Sequence, residues 1–582
     1  MCAVDASRSG RAAGCLLAPE TRRGEARGVI DLLVIGGGVN GTGIARDAAM
    51  RGLSVALVEK KDFAAGSSGA NSGMIHGGAR YLLHDRNVTR LSALDSGYIQ
   101  KIAPHLLFRI PFIFPVIAKT PGKPSLYEKA YLYGANCYFE EYDQFQKLKN
   151  GKPATRLSDA EVHELEPGIT SGTAGAVTMD EYGIDPFRLC TLNARSAADH
   201  GADVRNHTEV VRFLRGDGGA VTGAEVRDVR SGKLSGIAAR ITFNAGGPWA
   251  PKIAALANVP LKIRPGKGVH LTLDRRLSNY GILCKAVDGR DVFVMPHEDA
   301  SIIGTTDDDF YGDPDDVQVN DDEVQYLLQA VERAFPAVRQ ARILRAWAGV
   351  RPTIWSYGPL EDKLSRDHEI HDHGKDGAPG FFSIVGGKLA SFRAMSEEAV
   401  DVVAKRLGKG AACATHTTAL AGGEREVDDA EALGREHAVP AFAAARLSYR
   451  HGAEAAAVLK LADGAPELRA HGCACEGVLL AELAFALRHE FADGLTDLRR
   501  RCRLGMGVCQ GARCTAPAAG LWAQERNESC SAALGQAEKL LDERWKGHRP
   551  VLAGDSLPQA ELTRGTFFTT GALAAPEGKP WR

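Results

Sequence analysis

Long apolar runs are missing from this sequence of 582 residues. A membrane-spanning helix needs about 18 uninterrupted apolar residues, and no stretch approaches that length. The nearest, residues 478–487, is too short and contains Glu482. We therefore expect any contact with a membrane to be peripheral or made through a partner.

An excess of charge is missing as well. The 71 Lys and Arg residues and 72 Asp and Glu residues give a net charge of -1, which argues against nucleic acid or anionic lipid as a partner. Anionic ligands must then be held by local groups of Arg and Lys. Residues 1–28 are rich in Ala, Gly and Arg but lack the apolar centre of a secretory signal. We expect a disordered leader, or residues ahead of the true start, on a cytoplasmic protein whose membrane contact would be on the inner face of the cell membrane.

Cysteine is scarce outside one window. Seven of the 12 cysteines are scattered, whereas the other five lie between residues 473 and 514. In a cytoplasmic chain such a cluster suggests a metal site before disulfides.

A dinucleotide-binding pattern opens the chain. The apolar run DLLVI at residues 31–35 leads into GGGVNG at 36–41, a helical pattern follows, and a second strand ends at Glu59. In this motif Gly36 permits the turn, Gly38 lets the backbone approach a pyrophosphate, and Gly41 lets helix pack on strand. The helix N-terminus attracts the phosphates, and Glu59 would accept hydrogen bonds from a ribose. The surrounding strand–helix–strand pattern makes this motif much stronger evidence than its glycines alone.

Two later segments favour FAD over NAD. The small-residue stretch 63–78 resembles the loop that lays the flavin across glutathione-reductase-like flavoproteins. Residues 239–249 read as a strand ending in a glycine turn, and they resemble the second FAD-contacting strand of D-amino-acid-oxidase-like proteins. Together these segments predict the following FAD-binding residues: Gly36, Gly37, Gly38, Asn40, Gly41, Glu59, Lys60, Ser67, Ser68, Asn71, Gly73, Val210, Gly246, Trp249 and Gly387.

Several further motifs resemble one family, the FAD-dependent glycerol-3-phosphate dehydrogenases. They are HGGARYL at residues 76–82, KGVH at 267–270, IGTTD at 303–307, AGVRP at 348–352, SRD at 365–367 and GGKL at 386–389. The resemblance covers roughly residues 31–393. It implies oxidation of sn-glycerol 3-phosphate to dihydroxyacetone phosphate, with hydride transfer to the flavin.

The resemblance also implies a substrate pocket. A phosphomonoester dianion needs several cationic donors, and the motifs supply Arg80, Tyr81, His270, Arg351, Arg366 and Lys388 as substrate-binding residues. Of these, His270, Arg351 and Lys388 are the catalytic candidates. The division of labour among the three, including the choice of general base, stays open. The last motif departs from the usual GGKLTTYR, because Ala390 replaces a hydroxyl-bearing residue, and this weakens the assignment of the polyol phosphate.

A second module follows near the C-terminus. Cys473, Cys475, Cys509 and Cys514 form a C-x-C and a C-x4-C pair about thirty residues apart. This spacing resembles the BFD-like (bacterioferritin-associated-ferredoxin-like) [2Fe-2S] domain of the anaerobic, multi-subunit members of the family. Four thiolates suit a binuclear cluster, although the same ligands bind structural zinc. Cys502 falls outside the pattern and is expected to be a buried spare.

We expect an α/β protein, α+β overall, in which a glutathione-reductase-type FAD-binding Rossmann domain is interleaved with a mainly antiparallel substrate domain. The predicted divisions are a leader (1–28), the FAD and substrate domain (29–400), a helical cap (401–468), the [2Fe-2S] domain (469–525) and a tail (526–582). Electrons would pass through the cluster to a quinone by way of a partner subunit. Alternatives are a glycerol-3-phosphate oxidase, a hydroxy- or amino-acid dehydrogenase of the same fold, and a non-catalytic electron-transfer protein.

Overall fold

The computed structural model describes residues 28–83, 85–360, 364–552 and 556–570. The predicted leader therefore lies outside the described residues, except for Gly28. No helix in these ranges is long and apolar enough to cross a membrane.

The described residues form nineteen strands. In chain order they are β1 (Ile30–Ile35), β2 (Val55–Val58), β3 (Leu107–Ile117), β4 (Arg156–Leu157), β5 (Thr173–Ile184), β6 (Asp203–Arg205), β7 (Thr208–Arg215), β8 (Val221–Asp228), β9 (Leu234–Asn244), β10 (Ile263–Leu273), β11 (Gly281–Lys285), β12 (Asp291–His297), β13 (Ala300–Gly304), β14 (Asp308–Asp309), β15 (Ile343–Ile354), β16 (His368–Asp372), β17 (Phe381–Gly386), β18 (His471–Cys473) and β19 (Val478–Leu479).

The same ranges contain sixteen α-helices. They are α1 (Val39–Met50), α2 (Arg86–Ile102), α3 (Leu126–Asp143), α4 (Asp159–Leu165), α5 (Pro186–Asp199), α6 (Ala250–Leu256), α7 (Asp321–Glu332), α8 (Phe392–Leu407), α9 (Ala430–His437), α10 (Ala441–His451), α11 (Ala455–Leu459), α12 (Leu480–His489), α13 (Leu495–Cys502), α14 (Thr515–Arg526), α15 (Cys530–His548) and α16 (Ser556–Thr570).

The first sheet carries the dinucleotide motif. Its order is β16-β17-β9-β1-β2-β6, and β8 and β7 extend it beside β9. Strand β1 pairs in parallel with both β2 and β9. Its side chains are buried on both faces: Leu32 and Val34 pack with α1, whereas Leu33 and Ile35 join the core of β7 and β8. Burial on both faces explains why the run at 31–35 is apolar without alternation.

The second sheet builds the rest of the main body. Its order is β14-β10-β13-β12-β11-β3-β5-β4, with β15 also paired to β10. Most of its pairs are antiparallel, including the long β10–β15 and β3–β5 ladders. The chain enters this sheet, returns to the first, and enters it again. The expected α/β fold, with an FAD-type Rossmann unit interleaved with an antiparallel one, is confirmed.

The C-terminal region is helical, as expected. Helices α9 to α11 precede a β18–β19 hairpin, and α12 to α14 pack with it around a core that includes Cys473, Cys502 and Cys514. The segment predicted as a tail contains α15 and α16. Helix α15 lies against β15, where the His548 Nδ1 is 3.0 Å from the carbonyl oxygen of Leu344.

Candidate active site

A cavity of about 1310 Å³ lies between the two sheets and reaches from the α1 N-terminus to β10 and β15. All six predicted substrate-binding residues line it. Of the fifteen predicted FAD-binding residues, Gly37, Gly41 and Gly73 lie behind its wall and the remaining twelve line it. The structure thus brings the sequence-predicted residues to one place, although their individual roles stay predictions.

The glycines at the head of α1 are required by close backbone contacts. A Cβ at Gly36 would lie 2.6 Å from the Ala245 carbonyl oxygen, and one at Gly41 would lie 1.8 Å from that of Gly36. Gly38 begins α1 without a side-chain cap. Gly38 and Asn40 line the cavity at this point, so the N-terminal end of the helix, with its partial positive charge, borders a space suited to a pyrophosphate.

Glu59 stands at the end of β2 beside this turn. Its carboxylate accepts hydrogen bonds from the backbone N–H of Gly37 at 2.6 Å and of Lys61 at 2.7 Å. Burial raises its pKa above the ordinary value. Each carboxylate oxygen can accept a second hydrogen bond, so capacity for a ribose hydroxyl remains.

The neighbouring wall carries the remaining predicted contacts for the adenosine end. Val210 lines the cavity where the register of β7 against β8 is shifted by a bulge. The ammonium of Lys60 lies 4.8 Å from the centroid of the Trp249 ring and forms an ion pair with Asp315 at 2.8 Å. Lys60 is thus held by protein groups in this structure, as the indole is by its 3.0 Å hydrogen bond to Asp315.

The small-residue loop at 63–78 is fixed by its own side chains. The Ser67 hydroxyl donates to the carbonyl of Val350 at 2.5 Å, and Ser68 Oγ accepts from the N–H of Val39 at 2.9 Å. The Asn71 amide donates to the Ser68 carbonyl at 2.7 Å, while its oxygen accepts from the N–H of Gly73. The predicted residues Ser67, Ser68, Asn71 and Gly73 therefore shape the loop that faces the cavity.

These features fit FAD. The α1 N-terminus at the cavity wall suits a pyrophosphate, Glu59 suits a ribose, and an extended cavity continues towards the second sheet. Among the described residues, both ring nitrogens of His270 and the Nζ of Lys388 lack hydrogen-bond partners at its far end. Such buried polar atoms are costly unless a ligand meets them.

That far end gathers positive charge. Arg80, Arg351, Arg366 and Lys388 all line the cavity there. Arg351 is fixed by Asp307 at 2.9 Å and by the Thr305 hydroxyl at 3.0 Å. Burial lowers its pKa, and the nearby Arg366 and Arg80 lower it further against the opposing effect of Asp307.

Lys388 is the most perturbed of these cations. Burial lowers its pKa to about 7, and Arg366 contributes to the shift. Its ammonium lies 4.6 Å from the centroid of the Tyr81 ring. The second glycine of the HGGARYL motif, Gly78, lies next to its Nζ, and its φ of 81° is in the left-handed region that favours glycine.

His270 is buried on β10 beside these cations. Its ring stacks on Trp347, with centroids 5.3 Å apart and planes 11° apart. Burial lowers its pKa to about 3, and Arg351 adds to the effect. The ring is therefore neutral at physiological pH.

Sequence reasoning missed one cavity residue of the same type. His76 lines the cavity, and burial lowers its pKa well below the ordinary value, with Lys388 contributing. Its Nδ1 accepts a 3.1 Å hydrogen bond from the N–H of Gly78. The available signal was its place at the head of the HGGARYL motif.

Behind that motif lies a polar support that the sequence did not indicate. Glu181 on β5 pairs with Lys149 and accepts a 2.5 Å hydrogen bond from the Tyr142 hydroxyl. It also faces the N–H of Gly77 and raises the pKa of Lys388 against the effect of burial. The negative charge of Glu181 therefore stabilises the cationic end of the cavity.

The four predicted cysteine ligands come together in two pairs. Cys473 and Cys514 are hydrogen-bonded thiols, as are Cys475 and Cys509. The hydrogen bond from Cys514 lowers the pKa of Cys473, and the N–H groups of Gly505 and Glu476 also point at that sulfur. No three of these sulfurs, however, lie within 4.8 Å of one another in the described part of the chain. The expected spare, Cys502, is fully buried.

In the described ranges, one group of three possible metal ligands has its ligand atoms within 4.8 Å of one another: Asp62, His207 and Asp497. The guanidinium of Arg501 binds both oxygens of Asp62 at 2.7 and 2.9 Å, and His207 is 3.0 Å from Asp497. The group is an ion-pair network that joins α13 to the first sheet.

A second cavity, of about 590 Å³, separates the cysteine loops from the active site. Its lining includes Cys475 and Gly507 of the cysteine loops, Trp347, and residues 64–67 and 69–73 of the flavin-type loop. The two redox-type motifs of the sequence are therefore neighbours in the fold.

Comparison with known proteins identifies the family. The family model described as FAD dependent oxidoreductase matches residues 31–393, and the C-terminal domain of alpha-glycerophosphate oxidase matches residues 413–531. The chain is 34% identical over 544 residues to one of the subunits of the anaerobic glycerol-3-phosphate dehydrogenase of Escherichia coli, covering 92% of this chain and 96% of that protein. It is 30% identical over 509 residues to the aerobic glycerol-3-phosphate dehydrogenase of Staphylococcus epidermidis, covering 82% and 87% respectively.

A solved structure agrees. The glycerol-3-phosphate dehydrogenase from Bacillus halodurans complexed with FAD superimposes with a TM-score of 0.72 at 25% identity, covering 90% of this chain and 97% of that one. The chain belongs to the FAD-dependent glycerol-3-phosphate dehydrogenase family.

Proposed function

We propose that this protein oxidises sn-glycerol 3-phosphate to dihydroxyacetone phosphate. The observation that carries the proposal is the convergence of Arg80, Arg351, Arg366 and Lys388 on one buried end of an FAD-type cavity. Arg366 and Arg80 lower the pKa values of both Arg351 and Lys388, which means that the positive charges at this end repel one another. A phosphate dianion would relieve that repulsion, since it neutralises several cations at once. A hydroxy or amino acid brings a single carboxylate and would leave most of the charge unbalanced.

The side chains suit different parts of such a substrate. Arg351 is held in place by Asp307 and Thr305, so it can present its remaining donor surface without reorganising. Lys388, in the loop that follows β17, can approach the substrate from another direction. Their charges would stabilise negative charge that develops on the carbon-2 oxygen as its proton leaves.

The hydroxyl proton needs an acceptor within the cavity. His270 is neutral, buried and without a partner for either ring nitrogen in the described ranges, so its unprotonated nitrogen is free to accept the proton. Lys388 has a pKa of about 7 and is an alternative base in its neutral form. When FAD is bound, it supplies the acceptor for the hydride that leaves carbon 2. We assign the proton to His270 because the positive charge of Lys388 is needed for the phosphate.

We further propose that Cys473, Cys475, Cys509 and Cys514 hold a [2Fe-2S] cluster. A zinc ion would draw its four sulfurs to about 3.8 Å from one another, given Zn–S bonds of about 2.3 Å. The two separate thiol pairs are closer to what two metal ions require, with two ligands each. Backbone N–H groups directed at Cys473 and the buried Arg499 nearby offset the negative charge of such a cluster.

The cluster would carry single electrons away from the active site. Its cysteine loops face the flavin-type loop across the second cavity, which supports this route. The anaerobic relative from Escherichia coli is named as one of several subunits, so we propose a quinone, reached through a partner protein, as the final acceptor. A direct oxidase would have no use for the cysteine module.

An anaerobic spectrum tests the proposal. The purified protein should show flavin bands with a broader absorption beyond them, and glycerol 3-phosphate should bleach the flavin. Glycerol and a 2-hydroxy acid are the matched controls, because they lack the phosphoryl group. Bleaching by the hydroxy acid alone would contradict the assignment. Faster reoxidation by oxygen than by a quinone would instead favour the oxidase, and zinc in place of iron would remove the relay.

A further inference from the structure

The His270 side chain occupies a slot between two strands. In the ladders of the second sheet, His270 of β10 is paired with Gly304 of β13 on one side and with Trp347 of β15 on the other. Paired residues on neighbouring strands project from the same face of a sheet. The three residues therefore form a row across it, with the imidazole in the middle.

Both walls of the slot touch the ring. The indole of Trp347 stacks on it with a centroid distance of 5.3 Å and an interplanar angle of 11°. On the other side, a Cβ at Gly304 would lie 2.3 Å from His270 Cδ2 and 2.8 Å from Nε2. Any larger residue at position 304 would push the ring aside.

Hydrogen bonds do not hold this ring. Neither nitrogen has a partner in the part of the chain that the structure describes. In many catalytic histidines one nitrogen is bonded to a carboxylate or carbonyl, which fixes the tautomer and the orientation. Here packing must supply the orientation, and both nitrogens stay available to a ligand.

We propose that Trp347 and Gly304 are positioning residues that hold His270 by contact alone, so that no protein hydrogen bond competes with the substrate for the ring. This inference rests on the proposed function. In the reaction, the substrate O–H bond breaks as an N–H bond forms on His270. The C2–H bond breaks with its electron pair, which leaves as hydride to FAD, and a C=O bond forms. The other ring nitrogen keeps its hydrogen throughout.

The surroundings of the slot also keep the His270 imidazole unprotonated before the substrate binds. Facing His270 are Arg351, which is bonded to Asp307, and Lys388 across the cavity. Arg345 lies 6.0 Å from the centroid of Trp347, and Lys267 of β10 pairs with Glu323. Burial is the main cause of the lowered pKa of His270, and Arg351 adds to it. Replacing the indole with a small side chain would admit water, and the pKa of His270 would rise towards its ordinary value of 6.5.

Anaerobic stopped-flow reduction of the FAD-loaded enzyme by glycerol 3-phosphate tests the proposal between pH 5 and 9. Trp347→Leu should slow flavin reduction roughly 10- to 100-fold and leave the substrate dissociation constant nearly unchanged. In the limiting rate at saturating substrate, which the ionisation of the free substrate does not affect, it should also add an acidic limb with an apparent pKa near 6 that the wild type lacks. Trp347→Phe keeps a flat aromatic face and should restore most of the rate. Gly304→Ala should slow the reaction without adding the limb, because the indole still excludes water.

Trp355→Leu is the matched control, since Trp355 is 42% exposed and lies outside both cavities. If Trp347→Leu fails to retain FAD, Trp347→Met preserves bulk but removes the flat face and should give the same slow rate and acidic limb. Wild-type rates and pH profiles in Trp347→Leu or Trp347→Met would overturn the inference. An unreduced wild-type flavin would instead refute the proposed function.

Discussion

Lys388 should make phosphate binding depend on pH in a defined direction. Burial and Arg366 lower the pKa of its ammonium from 10.5 to about 7, a difference that corresponds to roughly 5 kcal/mol. The unliganded protein is therefore about half protonated at this site at pH 7 and roughly one-tenth protonated at pH 8. A bound dianion beside the amine should raise the pKa again, because opposite charge favours the protonated form.

Binding must then take up a proton. Dihydroxyacetone phosphate, the proposed product, is a suitable ligand because it binds the oxidised enzyme without turnover. We expect uptake of about half a proton per ligand at pH 7 and about 0.9 at pH 8. The dissociation constant should rise roughly tenfold per pH unit above 7. Since the phosphoryl group is already a dianion in this range, its own titration adds little.

Isothermal titration in two buffers with different ionisation enthalpies measures both quantities. Lys388→Met should weaken binding at pH 7 by about 1.5–3 kcal/mol and flatten the pH dependence between 7 and 9. Lys539→Met, a change at an exposed lysine of α15, is the control and should behave as wild type. A wild-type affinity that stays constant or improves from pH 7 to 9 would refute this account of Lys388.

Three further predictions concern other parts of the chain. A lysine at position 351 cannot keep both the 2.9 Å contact of Arg351 with Asp307 and its 3.0 Å contact with Thr305. In Arg351→Lys the substrate dissociation constant, measured by flavin-bleaching titration, should therefore rise about 10- to 100-fold. An unchanged dissociation constant would contradict the proposed role of Arg351 in binding. Cys509→Ser should abolish the electron paramagnetic resonance signal of the reduced cluster while flavin bleaching by substrate persists, whereas Cys530→Ser, an exposed cysteine outside the set, should keep both; a retained signal in Cys509→Ser would exclude Cys509 as a ligand. Glu490→Gln should lower the free energy of unfolding by about 3–5 kcal/mol, because Glu490 pairs with the buried Arg188 at 2.6 Å. Burial alone would raise the Glu490 pKa, but Arg188 lowers it below its ordinary value, so this stabilisation is present above about pH 4.5 and is lost as the pH falls further. Chemical denaturation should show the loss of stability in comparison with Glu431→Gln, a change at an exposed residue. Equal stability of the two variants would contradict the role of the ion pair.

The local parts of the fold were predictable from the sequence. The apolar run at 31–35, the glycines that follow and Glu59 are close in the chain, and the strand–turn–helix that they indicate is present. The fold class, which the structure confirms, was also predictable, because its signals, a parallel βαβ unit and later β-rich segments, are local. The division into domains stays a prediction.

What the sequence could not provide is the contacts between distant strands. Gly304, His270 and Trp347 meet because β10 pairs with β13 and β15 in one particular register. A shift of one residue would turn His270 away from the cavity. The support of the HGGARYL motif by Glu181 and Lys149 depends in the same way on long-range packing. His76, in contrast, lies inside the HGGARYL motif, so its place in the cavity could have been predicted from the sequence.

The strand β15 is shared by the two halves of the protein. One face of it bears Arg351 at the active-site cavity and Trp347 and Arg345 at the second cavity. At Arg345 the strand meets α15, since a Cβ at Gly547 would lie 2.9 Å from Arg345 Nε and 3.1 Å from the Ala346 carbonyl. The C-terminal region therefore packs directly against a strand of the active site. Removal of the chain from residue 413 onward would take α15 away from β15, the strand that carries Arg351 at the active-site cavity, and loss of the C-terminal region should therefore loosen the cavity wall as well.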